Sequence, residues 1–160
     1  FLDFAREPSR KRQIVDVREL VNETAELLRR EHGAGPSLLV RVNCPAAARR
    51  VSCDPSQIKQ VLVNLGKNAV EAMDGCGALD ISVNEGPGLV EIRFDDEGPG
   101  IEPDKVARIF EPFFTTKDTG TGMGLAVCMR IVTAHDGMLR ASARQGGGCS
   151  MRIALPAAAN

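Results

Sequence analysis

Apolar positions change period several times along this chain, and each change marks an element. Leu20, Thr24, Leu27 and Leu28 line one helical face between Val17 and His32. Asp16 with Glu19 three residues on forms a capping box there, and Gly33 supplies a stop. Leu38–Asn43 and Val51–Cys53 then read as short strands. Helical spacing returns with Ile58, Val61, Leu62, Leu65, Ala69 and Ala72. Asp54 caps this second helix, Pro55 takes its first position, Gln57 completes another capping box, and Gly75 and Gly77 follow its end near Met73. The period then falls to two at Leu79, Ile81, Val83 and at Val90, Ile92, Phe94, a hairpin joined through Glu85-Gly86-Pro87-Gly88. A short helix is expected around Asp104 to Ile109, then a long loop and a third major helix from Gly122 to His135, ended by Gly137. Strands at Met138–Ala143 and Cys149–Leu155 flank Gly146-Gly147-Gly148. This order predicts a two-layer α/β sandwich: a mixed, mostly antiparallel sheet with three helices on one face and solvent on the other.

With 160 residues, 43% of them hydrophobic, the chain is long enough for one domain with a real core. That domain is placed at residues 14–156, between a first segment, 1–13, and an Ala-rich tail, 157–160. Phe1-Leu2-Asp3-Phe4-Ala5 suits the last turn of a packed helix, and Arg6 to Arg12 reads as a solvated basic linker. A net charge of -1 and the absence of Trp and Tyr give no sign of a nucleic-acid partner. No apolar run approaches the ~20 residues that span a bilayer, so no membrane contact is expected of these residues. The five cysteines (Cys44, Cys53, Cys76, Cys128, Cys149) are odd in number and lack CxxC spacing, which predicts reduced thiols and a cytosolic setting.

Candidate chemistry gathers in two places. On the second helix Asn64, Asn68 and Glu71 follow at i, i+4 and i+7 beside the apolar stripe. Asn is a poor helix former, so two on one line either bond neighbouring backbone or serve a ligand, such as Mg²⁺ with its taste for oxygen donors. Further on, Asp96-Glu97-Gly98-Pro99-Gly100-Ile101 follows a strand whose alternation sends Asp96 inward and Asp95 out to solvent. An ionised Asp only accepts hydrogen bonds, which suits the exocyclic amine of adenine and opposes the carbonyl of guanine. Gly120-Thr121-Gly122-Met123-Gly124-Leu125 then opens the third helix, where free N–H groups can cradle phosphate.

Taken together, these motifs resemble the ATP-binding catalytic domain of bacterial two-component sensor histidine kinases, a Bergerat-type fold in the superfamily of gyrase, the Hsp90 chaperones and MutL. Asn64-Leu65-Gly66-Lys67-Asn68-Ala69 is similar to the Asn box and Asp96–Gly100 to the first glycine box. Gly120–Leu125 is similar to the second glycine box, and Phe110-Glu111-Pro112-Phe113-Phe114-Thr115-Thr116-Lys117 to the phenylalanine box of a nitrogen-regulator-like subgroup. The resemblance implies that Asn68 holds Mg²⁺, Asn64 supports the phosphates and Asp96 takes adenine, with Gly98, Gly100 and Ile101 beside it. Residues 110–121 would form an ATP lid anchored by Phe110 and a following phenylalanine. Gly120, Thr121, Gly122, Gly124 and Leu125 would approach the phosphates, and Lys117 the terminal one. It implies as partners the dimerization and phosphoacceptor hairpin of the same protein, forming a homodimer, and a cognate response regulator.

Three departures qualify the resemblance. Glu71 stands where some relatives carry a basic residue, and Cys149 where many carry a Thr that supports the adenine Asp, so that hydroxyl would come from Ser150, from water or not at all. The only histidines, His32 and His135, sit at helix ends before glycine turns, so the acceptor histidine is expected elsewhere. Rival readings are a gyrase- or chaperone-type ATPase, an anti-sigma-type serine kinase and a non-catalytic nucleotide sensor. The first lacks its water-activating Glu here, because Asn64 stands at that position.

Residues 111–121 hold few apolar groups beyond Phe113 and Phe114, so a γ-phosphate is expected to supply the partner that orders them. Trypsin should cut after Lys117 in the apo protein, more slowly with Mg²⁺ and a non-hydrolysable ATP analogue, and at an intermediate rate with ADP. Equal rates in all three states would rule out a nucleotide-gated lid.

Overall fold

The computed structural model of the protein describes residues 11–32, 37–112, 114 and 124–159. Among them the elements run β1 (Gln13–Asp16), α1 (Val17–His32), β2 (Leu38–Asn43), β3 (Arg50–Cys53), α2 (Pro55–Ala72), β4 (Gly77–Gly86), β5 (Leu89–Asp95), α3 (Gly124–Ala134), β6 (Met138–Ala143) and β7 (Cys149–Pro156). Five strands form one sheet in the order β2-β4-β5-β7-β6. β2 runs parallel to β4 and every other neighbour is antiparallel. The expected sandwich is therefore the observed one.

Alternation decides which sheet face is covered. Leu79 and Ile81 of β4, Ile92 and Phe94 of β5 and Ile153 of β7 are fully buried, in one cluster with Val21 and Leu28 of α1, Ile58, Leu62 and Leu65 of α2 and Cys128 and Val132 of α3. Each large side chain so buried contributes roughly 1.5–3 kcal/mol. The other face carries paired charges, as where Arg41 grips both Asp80 oxygens at 2.6 and 2.9 Å.

Three local expectations change. Residues 13–16 form a strand where no element was expected, pairing Gln13 with Cys53 and Asp16 with Arg50. This ribbon escaped the pattern because it has no buried alternation, Ile14 being 60% exposed. Asp16 caps α1 through the N–H of Arg18 (3.1 Å), not of Glu19, and the Arg18 guanidinium holds its carboxyl below the usual range. The short helix expected near 104–109 is instead a run of turns, with Lys105, Arg108 and Glu111 each bonding the carbonyl three residues back at 2.9 Å. The segment is too short to sustain helix nucleation. Of the third helix, residues 122 and 123 lie outside the described residues.

The cap of α2 also differs from a capping box. Asp54 Oδ1 accepts from Ser56 N–H at 3.0 Å and Gln57 N–H at 3.4 Å, but Gln57 Oε1 is buried without a partner and returns nothing. The Asp54 N–H donates to His135 Nε2 at 3.1 Å instead. That fixes the proton on Nδ1, which donates to Ile131 O at 2.8 Å. His135, 3% exposed, thus ties the end of α3 to the start of α2. The chain leaves α3 through Asp136 at φ 59, with Gly137 N–H returning to Val132 O at 2.9 Å. The His32 side chain lies outside the described residues.

His135→Ala strands the Asp54 N–H and opens a cavity, at an expected cost of about 2–4 kcal/mol. Gln57→Ala should cost under about 1 kcal/mol, since its amide makes no cap bond. Urea unfolding of both variants checks this; the reverse ranking would restore the capping box.

Candidate nucleotide site

Asp96 lies one residue past β5, where the ladder to β7 changes partners. Asp95 still pairs with Ser150, and Asp96 N–H still donates to Cys149 O at 3.0 Å. The return bond does not reach the Asp96 carbonyl. Cys149 N–H donates to the side-chain Oδ1 at 3.1 Å, and Gly98 N–H reaches the same oxygen at 2.9 Å. Oδ1 is therefore filled, and among the described residues no donor is seated on Oδ2. The Asp96 carbonyl, freed from the ladder, accepts from Arg144 Nη1 at 2.6 Å. Burial pushes the carboxyl above the usual range, while the Gly98 and Cys149 N–H groups and the Arg144 charge pull it back. When ionised, this side chain presents one open acceptor in a site 5% exposed.

Close backbone approach builds the surroundings. A Cβ on Gly148 would overlap Asp96 O, so only glycine lets the β6–β7 turn reach this carbonyl. A Cβ on Gly98 would stand 2.9 Å from Ala72 O, so the loop after Asp96 lies flat on the last turn of α2. Asn64, Asn68 and Ala72 are one helical line, each step rising about 6 Å. Both asparagines are half-buried, and their row runs back along α2 from the Gly98 contact at Ala72, while Glu71 is exposed. Glu97 ties the loop from its other side: Oε1 accepts Ala78 N–H at 2.7 Å. Gly100 packs toward Gly148 O, and Ile101 follows it half-buried.

α3 reaches the Asn row through Cys128. Its thiol lies 3.9 Å from Val61 O, and burial pushes it up to about 12, with the nearby Asn64 side chain pulling it back slightly. Gly124, one turn earlier, opens α3, and Leu125 packs on the core. Ile109 is buried and Phe110 packs on the core, so the anchor expected of Phe110 is in place and Ile109 adds one that the sequence did not suggest. Phe114 lies under the Arg108 guanidinium at 4.7 Å. Phe113, Lys117, Gly120, Thr121 and Gly122 lie outside the described residues.

Two expectations about neighbours are corrected. Asp95 is not merely solvated; Arg93 holds it at 3.1 Å. Ser150 cannot supply a hydroxyl to Asp96, because the pleat turns it to the opposite face, where its Oγ is buried without a partner. The Cys149 main chain makes the bond instead. Its thiol, raised to about 12 chiefly by burial, stays protonated. Three residues that hold the site were missed: Arg144, Cys128 and Glu97. Only strand register and helix packing bring the first two to it, whereas Glu97 stood inside a recognised motif with its use unread.

Among the described residues no three His, Cys, Asp or Glu side chains could hold a metal together. An amide oxygen joined by ligand phosphates is the donor set that remains, and it fits a hard, well-hydrated ion such as Mg²⁺.

Known proteins match over these same elements. The family described as "Histidine kinase-, DNA gyrase B-, and HSP90-like ATPase" matches residues 53–159. Sensor histidine kinase ZraS of Klebsiella oxytoca is 35% identical over 156 residues, 97% of this chain and 34% of that protein. The solved catalytic domain of histidine kinase ThkA superposes with a TM-score of 0.81 at 30% identity, covering 91% of this chain and 95% of that one. Full-length ShkA in complex with AMPPNP gives 0.88 at 27% identity over 99% of this chain and 35% of that one. The chain spans about a third of the length of the curated relatives it matches first.

Asp96→Asn tests the open oxygen. Its Oδ1 can still take both main-chain N–H groups, while its amide puts a donor where Oδ2 accepts. The thermal midpoint should stay within a few degrees and Mg-ATP binding should vanish in calorimetry, a lost buried pairing costing ~1–3 kcal/mol or more. Equal affinity of the unaltered protein for ATP and GTP would refute the assignment.

Proposed function

Because the chain belongs to the histidine kinase-, DNA gyrase B- and HSP90-like ATPase family, an ATP-binding family, we propose that it is the catalytic part of a sensor histidine kinase. It binds Mg-ATP and donates the γ-phosphate to a histidine on a separate dimerization and phosphoacceptor hairpin. The observation that carries this reading is the Asp96 carboxylate, one oxygen filled by main chain and the other open, beside the Asn row of α2.

In this reading Oδ2 of Asp96 accepts the adenine amine, with Gly98, Gly100 and Ile101 along the base. Asn68 offers its amide oxygen to Mg²⁺, which neutralises phosphate charge when bound. Asn64, near Cys128 and on the same helix line as Asn68, faces the phosphates. Gly124 and Leu125 open a helix whose N-terminus favours anions, and Gly120, Thr121 and Gly122 extend that approach. Lys117 reaches the transferring group, and Phe110 anchors the lid that carries it. Residues 14–156 form the catalytic domain, 1–13 the end of the hairpin and its linker, and 157–160 a tail. The hairpin makes the homodimer, a cognate response regulator takes the phosphate onward, and the domain works in the cytoplasm. Among the described residues no helix is long and apolar enough to cross a membrane.

Phosphoryl transfer asks for positioning and charge stabilisation more than for covalent chemistry from the protein. Asn64 cannot act as a general base, so water is not activated and hydrolysis is slow. His135, with both ring nitrogens engaged and 3% exposure, is no acceptor in the folded state.

Incubated with labelled ATP, the chain alone should incorporate no acid-labile phosphate and release phosphate slowly. A separate hairpin carrying its histidine should become labelled on mixing, and Asn68→Ala should reduce that at least about a hundredfold by removing the proposed Mg²⁺ ligand. Acid-labile phosphate on His32 or His135 would overturn this reading.

A further inference from the structure

Arg144 belongs to none of the motifs that identify the site. It starts the β6–β7 turn, whose own bonds run from Arg144 N–H to Gly148 O at 3.0 Å and from Gly147 N–H to Arg144 O at 3.2 Å. Its half-buried side chain crosses that turn and donates Nη1 to the Asp96 carbonyl at 2.6 Å. We propose that Arg144 is a positioning residue for the nucleotide, setting affinity by holding the Asp96 peptide in the orientation that leaves Oδ2 open.

The argument is a competition for one donor. In a regular antiparallel ladder Cys149 N–H would go to Asp96 O. Here it goes to Oδ1, and the displaced carbonyl would be an unsatisfied acceptor, hemmed in by Gly148, if Arg144 did not fill it. Without the guanidinium, the nearest remedy is for Cys149 N–H to return to the carbonyl. Oδ1 would then keep Gly98 N–H alone, and the carboxylate would be free to turn. A second effect acts in the same direction, because the Arg144 charge favours ionised Asp96.

The groups facing this carboxylate are Arg144 and the Cys149 thiol from the β6–β7 side, and Asp95, paired with Arg93, from β5. Glu97, next in the chain, is turned toward Ala78. The Cys149 thiol, at about 12, does not titrate between pH 5 and 8. Removing Arg144 therefore moves the Asp96 carboxyl further upward. Since binding needs the ionised form, the acid limb of nucleotide binding should move to higher pH, a shift that mere loosening of a turn would not produce.

The proposal rests on the reading of Asp96 as the acceptor of the base. Mg-ATP binding to this chain, measured by calorimetry from pH 5 to 8, tests it with R144Q, R144K and D96N, each first checked by thermal melting. ATP's own ionisation is common to all of them. R144Q should bind about tenfold more weakly at pH 7.5, with its acid limb displaced upward. R144K keeps the charge and should leave the limb in place with a smaller loss. It also carries the test if R144Q does not fold, since a displaced limb in R144K overturns the proposal. Unchanged affinity in R144Q, or weaker binding with an unmoved limb, overturns it too, while loss of binding in D96N would leave the reading of Asp96 standing. Binding by D96N equal to that of the unaltered chain overturns that reading itself.

Discussion

Cys149 donates its main-chain N–H to the side chain of Asp96 where a regular ladder would give it to the Asp96 carbonyl. That exchange makes a strand end into the site proposed to take the base. It fills one carboxylate oxygen from the backbone, leaves the other open, and turns a carbonyl out of the sheet that must be satisfied elsewhere. Arg144 satisfies it, Gly148 gives it room, and Gly98 supplies the second N–H to Oδ1. A buried carboxylate is costly by itself, and here burial does raise its proton affinity. The three compensating groups hold it in one orientation, which is what recognition of a base edge requires.

The helices are fixed to this knot and to one another by equally specific contacts. Gly98 rests on Ala72, so the register of the glycine loop sets the height of Asn68 and Asn64 above Asp96. Cys128 sets α3 against Val61 of α2, and His135, just past the other end of α3, takes the N–H of the α2 cap residue Asp54. α3 is thus clamped at two points to the helix that bears the Asn row.

Much of this was legible in the sequence, and the parts that were not share a cause. Period-two and helical patterning located nine of the ten elements, because each buries a face against the sheet or the helices. β1 offers only Val15, half-buried against the core, and relies on pairing with Arg50–Cys53. The inward turn of Asp96 followed from counting alternate residues along β5, and the Asn line from counting fours along α2. Arg144 lies 48 positions from Asp96, and no spacing rule connects them; register alone does. The same holds for His135, whose place before Asp136-Gly137 suggested a helix end but not that its ring would replace Gln57 in a cap 81 residues away. Local physics writes itself into local sequence, whereas partners chosen by tertiary contact do not.

The chemistry of the Asn row bears on how the proposed kinase avoids wasting its nucleotide. A carboxylate at position 64 could take a proton from water beside the γ-phosphate; an amide cannot. The nucleophile must then arrive with its own lone pair, as an imidazole does, and in-line attack becomes possible only when that imidazole is docked. Asn64 is not idle in this scheme. In the proposed reaction its amide supplies a dipole toward the phosphates without offering a base, and a preorganised dipole stabilises transferring charge at no reorganisation cost. In the proposed reaction, charge stabilisation and proton abstraction are thereby separated onto different parts of the protein, so that turnover depends on their meeting.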